Sequence, residues 1–186
     1  MSGNKIIWIF IALILLLCFT GNLNAQKIKF QSNFTDLKEN WEIGNDPEAK
    51  RAPGNWRFGL TELSGFSNRE NIMATALLAG EKTWKNYTVK TSLHMAAVQG
   101  YLVGIICGYQ DPEHFFIVGY NFYKRRFEFV VRTAEGFELL AFHKVDFLPG
   151  VDIPICLDFG GDRIRFSANE RVIFDINDGR YTQGGF

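Results

Sequence analysis

A few residues in this chain have the types and spacing to do chemistry. Glu128 and Glu138 lie ten positions apart on neighbouring extended stretches. Glycoside hydrolysis needs two carboxylates across one bond, about 5 to 9.5 Å apart. The same glutamates have Arg126, Arg132 and Lys144 close by, and cross-strand ion pairing on a solvated face is the plainer reading. His94, His114 and His143 are scattered, with no ligand-type partner at i+2 or i+4, so the spacing does not describe a zinc site. No serine sits in a G-x-S-x-G context, and no glycine-rich phosphate loop precedes a helix. Asp46, Glu48 and Asp111 lie in polar turns and could supply the hard oxygen ligands that Ca2+ takes. Asp and Asn also favour turns for their own sake. Tyr109, Tyr120 and Tyr123, with Asn121, Arg126 and Arg132, flank one pair of adjacent strands and their connection. Aromatic faces beside a few polar groups are what a sugar site requires. The alternative is that the tyrosines are packing residues. The chain has 18 Phe for its core, which frees the tyrosines for the rim.

The elements that must position these residues run from 101 to 142. That stretch reads as four consecutive strands, YLVGIICGY, HFFIVGYN, RRFEFVVR and FELLAFH. The connections QDPE, FYK and TAEG are short and polar. β-Branched and aromatic residues fill the runs, and breakers or charges fill the connections. In the third run Phe127, Phe129 and Val131 point one way, and Arg126, Glu128 and Arg132 the other. A period of two predicts an antiparallel meander with one dry face and one wet face. Further strands are predicted at 27–34, around Trp41 and Trp56, at 72–78 and at 87–95. Three more follow, at 153–159, 163–168 and 171–176, joined by tight turns at Gly160-Gly161-Asp162 and Ala168-Asn169-Glu170. Short strands at regular spacing describe an all-β antiparallel jelly-roll β-sandwich.

The totals agree. Length suits one domain. Lys+Arg and Asp+Glu are both 20, so no basic excess attracts nucleic acid or an anionic membrane. Residues 1–25 read as a signal peptide: Lys5, an apolar run at 6–19, and Ala25 before the cleavage point. The run is too short for a comfortable membrane span, although an uncleaved anchor is the alternative. The expected product is a secreted or periplasmic domain, 26–186, with no membrane contact once the signal is removed. Cleavage removes Cys18. Cys107 and Cys156 remain, and export permits a disulfide between them. Each also sits mid-strand, where a free thiol behaves as a small hydrophobe. The end, Gln183-Gly184-Gly185-Phe186, reads as a turn leading into another strand. The expectation is therefore a C-terminally truncated jelly roll lacking its last strand, and the alternative is a complete protein with a short tail.

Gly54-Asn55-Trp56, then Thr83-Trp84-Lys85-Asn86-Tyr87-Thr88-Val89, then Val103-Gly104-Ile105 resemble the G-x-W, W-x-x-Y-x-V and VG strands of the concanavalin A-like, laminin-G-like jelly rolls. Gly108-Tyr109-Gln110-Asp111, followed by Phe115-Phe116-Ile117-Val118, is similar to the lectin-like C-terminal domain of thrombospondins, which has a GYQD turn before an aromatic strand. Arg163-Ile164-Arg165-Phe166 through Gly184-Gly185 resembles the family's penultimate hairpin and its GG lead into the last strand. The resemblance implies a sandwich with calcium beside its loops in many members. It also implies lectin-like function: carbohydrate, or an extracellular matrix or cell-surface ligand, as partner. The chain departs from the family's 3-keto-disaccharide hydrolases, whose LF-D-G and NSG segments it lacks, and from its laminarinase-like members, whose E-x-D-x-x-E strand it lacks. The reading is a non-catalytic extracellular carbohydrate-binding module with no catalytic residues. The alternatives are a glycoside hydrolase of the same fold and a structural or adhesive accessory domain.

Overall fold

A computed structural model of the chain describes residues 41–44, 55–58, 63–66, 76–94, 102–148 and 150–186. The predicted signal segment, the predicted strand at 27–34, and the turn carrying Asp46 and Glu48 lie outside them. Every regular element among the described residues is a strand. They are β1 (Glu42–Gly44), β2 (Asn55–Phe58), β3 (Leu63–Phe66), β4 (Ala76–Leu78), β5 (Asn86–His94), β6 (Leu102–Asp111), β7 (His114–Asn121), β8 (Arg126–Thr133), β9 (Gly136–Lys144), β10 (Asp152–Gly160), β11 (Arg163–Ala168) and β12 (Arg171–Asn177). None of these residues forms a helix long and apolar enough to cross a membrane.

Two antiparallel four-stranded sheets dominate, β6-β7-β8-β9 and β12-β11-β10-β5. The first is the meander that the sequence predicts. Alternation drives the packing. Phe127, Phe129 and Val131 of β8, Phe116 and Val118 of β7, and Ile105 and Cys107 of β6 face inward. They meet Ile153, Ile155, Leu157 and Phe159 of β10 and Ile164 and Phe166 of β11 in one core. Burying these alternate positions removes apolar surface from water, at roughly 25 cal/mol per Å2. The β11–β12 hairpin closes with Asn169 and Glu170 both at positive φ, 48° and 63°. That is the mirror-image turn whose twist matches the flanking strands. The result is the all-β antiparallel sandwich of the jelly-roll kind.

Three expectations need correction or completion. The GYQD segment is not a turn. Gly108 to Asp111 continue β6, with a bulge before Asp111, and the chain reverses at Pro112 and Glu113. The outer face of the meander is not wet along β7 and β8: Glu128 and Arg132 are 5% and 2% exposed. That face also carries a second apolar cluster, Phe115, Ile117 and Val130 with Leu102, Ile106 and Tyr109 against them. Finally, Cys107 and Cys156 are free thiols. Cys107 lies in the core, and Cys156 lies on the outer face of the other sheet, opposite Lys90. Burial pushes the Cys107 thiol well above its ordinary range, so it behaves as a core hydrophobe.

The C-terminal residues are themselves paired. Gly185 exchanges backbone hydrogen bonds with Tyr109, and Phe186 with Ala79, so residues 184–186 run between the end of β4 and β6. The Tyr87 hydroxyl donates to the Gly185 carbonyl and accepts from the Gly108 N–H, both at 3.0 Å.

Strands β6 and β7 approach unusually closely where Gly104 opposes Gly119. A Cβ on Gly119 would fall 2.3 Å from the Val103 carbonyl oxygen, and one on Gly104 would fall 2.1 Å from that of Val118. The obstacle is backbone, which cannot swing aside. Gly119→Ala is therefore expected to cost about 2–3 kcal/mol, the range of an overpacked interior. Urea unfolding checks this, and a midpoint within error of the parent would show that the strands can separate there freely.

Candidate functional site

The site is built from the register of β7, β8 and β9. Asn121 pairs with Arg126, and Arg126 with Lys144, so these three share one row on the outer face. In the next row Gly119 pairs with Glu128, and Glu128 with Phe142. The turn between β7 and β8 places Tyr123 and Lys124 at the end of these rows.

Glu128 is the hub. One carboxylate oxygen accepts from Arg126 Nε at 2.7 Å and Lys124 Nζ at 3.2 Å, and the other accepts from Asn121 Nδ2 at 2.9 Å. Asn121 Oδ1 accepts the Lys124 backbone N–H at 2.9 Å, which shapes the turn. Burial alone would raise the Glu128 pKa. The hydrogen bonds from Asn121, Arg126 and Lys124 outweigh it and hold the carboxyl below its ordinary value. The Arg126 guanidinium also lies 4.3 Å over the Phe142 ring. It is gripped in its plane by a carboxylate and on its face by an aromatic ring. The Phe142 ring remains 51% exposed and Tyr123 is 78% exposed. A fixed polar cluster beside open aromatic surface is chemically suited to hold a hydroxylated ring compound.

The structure divides the sugar-binding residues expected from sequence. Asn121, Tyr123 and Arg126 come together at one end of the outer face. Arg132 and Tyr109 belong to the other end. Arg132 lies six residues along β8 from Arg126, about 20 Å at the strand rise. There its guanidinium stacks 4.6 Å over Phe137. Tyr109 packs on Phe115, with ring centroids 6.0 Å apart. Tyr120 is corrected outright. It points inward, is 3% exposed, and gives its hydroxyl proton to the Val145 carbonyl at 2.9 Å. Tyr120 cannot offer a ring to a ligand, because that ring is enclosed by Phe122, Phe127 and Phe147.

Lys124 and Phe142 were missed from sequence. Strict alternation in FELLAFH puts Phe137 and Leu139 on the face opposite Phe142. A bulge in β9 at Leu140 resets the register and brings Phe142 to the outer face beside Glu128. Lys124 carried no signal except its place in a turn.

The two glutamates do not face each other. Glu128 is on the outer face, while Glu138 shares a row with the inward Val131 and reaches Arg180 at 2.6 Å. Opposite faces of one sheet cannot flank one glycosidic bond. Of the calcium candidates, only Asp111 is described. Its Oδ1 accepts the Glu113 N–H at 2.9 Å and lies 2.7 Å from His114 Nδ1. No group of three or more His, Cys, Asp or Glu is arranged to hold a metal among the described residues.

Compared with solved structures, the chain is similar to the carbohydrate-binding module CBM66 from Bacillus subtilis. The TM-score is 0.63 at 16% identity, covering 84% of this chain and 88% of that one. It is also similar to domain 4 of AbnA, a GH43 extracellular arabinanase from Geobacillus stearothermophilus solved with arabinotriose. There the TM-score is 0.47 at 10% identity, covering 78% of this chain and 72% of that one. No family model matches the chain, and no curated protein sequence does. The first of these likenesses defines the class by fold: a jelly-roll sandwich of the kind used by CBM66.

Proposed function

We propose that this chain is a non-catalytic, extracellular carbohydrate-binding module. The site proposed is the Asn121–Glu128–Arg126–Lys124 cluster with the exposed rings of Phe142 and Tyr123. The observation that carries the reading is that preorganised cluster. Its donors are held in place before any ligand arrives, which lowers the ordering cost of binding. The likeness in fold to a carbohydrate-binding module supports it. So does the separation of Glu128 from Glu138, which puts the two glutamates on opposite faces where hydrolysis wants a pair across one bond.

Export by a signal ending at Ala25 belongs to the same reading, as does membership of the concanavalin A-like superfamily. Calcium, through Asp46, Glu48 and Asp111, is proposed as a loop ligand and is tested by adding a chelator to the titration below.

The experiment is a glycan array followed by titration against the oligosaccharides retained. Phe142→Ala is expected to weaken binding about five- to tenfold, the worth of one aromatic stacking contact. Tyr123→Ala is expected to do the same. Failure to retain any glycan, with calcium or without, would overturn the proposal in favour of an adhesive or structural role. Turnover of a glycan would overturn it in favour of an enzyme.

A further inference from the structure

We infer that the ligand of this corner is an acidic sugar, one that carries carboxylate or sulfate; the inference rests on the carbohydrate-binding reading above. The argument is an inventory of donors and acceptors. Neutral sugar hydroxyls both donate and accept, so a site for them offers both kinds of group. Here the acceptors at the centre of the cluster, Glu128 and Asn121, are turned inward. Both oxygens of Glu128 are taken by Arg126, Lys124 and Asn121, and the residue is 5% exposed. The Asn121 oxygen is taken by the Lys124 backbone. Asp146, further round the corner and exposed, is paired with the equally exposed Arg125 at 2.8 Å, so its charge is balanced.

What faces solvent is cationic. The Lys124 side chain is 47% exposed, with one of its three protons directed at Glu128. Lys144 is exposed at the end of the same row as Arg126. Among the described residues, Lys124, Arg125, Arg126 and Lys144 stand against Glu128 and Asp146, four cations to two carboxylates, in a chain whose overall charge is zero. The excess is local and lies beside the exposed Phe142 and Tyr123 rings. An apolar sugar face against those rings, with its acidic group toward Lys124 and Lys144, would meet both features at once.

The test titrates the full chain with tetragalacturonate, with a sulfated galactan tetrasaccharide, and with neutral galactotetraose. A mixed-sequence oligonucleotide of matched charge serves as a control. At least one acidic sugar is expected to bind ten times more tightly than the neutral one and to weaken as salt is raised. In Lys124→Gln and in Lys144→Gln, the ratio of acidic to neutral affinity should fall about three- to tenfold. Lys144 is an exposed edge residue, so its variant keeps the test alive if Lys124→Gln unfolds. Equal affinity for neutral and acidic sugars would overturn this inference while leaving the carbohydrate-binding reading intact. Tighter binding to the oligonucleotide than to either acidic sugar would also overturn it. Absence of binding to every glycan on the array is the separate result that removes the underlying reading.

Discussion

Replacing Glu128 with alanine should destabilise the domain by about 3 kcal/mol, the order seen when one member of a buried ion pair is removed. The carboxylate is 5% exposed and is the common acceptor for Arg126, Lys124 and Asn121. Without it the Arg126 guanidinium, whose side chain is 16% exposed, keeps its stacking on Phe142 but loses the carboxylate in its plane. Asn121, 3% exposed, loses the acceptor for its amide. Urea unfolding should show a lower midpoint with an unchanged slope. Glu128→Gln should cost less, about 1–2 kcal/mol, because an oxygen still accepts from the guanidinium.

The pH dependence has a definite sign. The folded-state pKa of Glu128 is depressed below its ordinary 4.5. Its stabilisation is therefore fully present above about pH 4.5 and is lost as pH falls through the lowered value. The parent should lose stability more steeply below that pH than Glu128→Gln does. If the two acid limbs superimpose, the carboxylate is not held by its neighbours and the proposed site loses its hub.

Much of the fold was legible because alternation is a local signal. Phe127, Phe129 and Val131 on one side of β8 are enough to call for a sheet with a buried face, and the later hairpins repeat the pattern. The site was legible only in part. Asn121 and Arg126 sit five positions apart in sequence but are paired in register, and a hairpin prediction brings them together. The bulge at Leu140 is not written in residue type, so nothing in the sequence marked Phe142 as a neighbour of Glu128. Tyr120 was misjudged for a related reason. Abundant Phe does not spare a tyrosine from the core when its hydroxyl can reach a carbonyl, here that of Val145. The burial of Glu128 and Arg132 accompanies the apolar and aromatic side chains that the neighbouring strands β6, β7 and β9 bring to the same face, and periodicity within β8 cannot report that.

Phe127→Ala carries the largest expected loss, about 4 kcal/mol, the usual cost of emptying a fully buried aromatic site. The ring is wholly buried and meets Tyr120, Phe147 and Phe166 at centroid distances of 5.4, 5.7 and 5.2 Å. Phe166 belongs to β11 in the opposite sheet, so this contact spans the two layers. A double-mutant cycle with Phe166→Ala should show coupling of about 1 kcal/mol, because the rings lose an edge-to-face contact as well as area. Strict additivity would mean that the sheets do not meet there. The consequence reaches the site. A slip of one residue exchanges the faces of a strand, so Phe127 turned inward is what keeps Glu128 turned outward. In Phe127→Ala the affinity for glycan should therefore fall even at denaturant-free temperatures where most molecules remain folded. Phe127→Leu, which keeps an apolar anchor at the same position, should restore most of that affinity and all but about 1.5 kcal/mol of the stability.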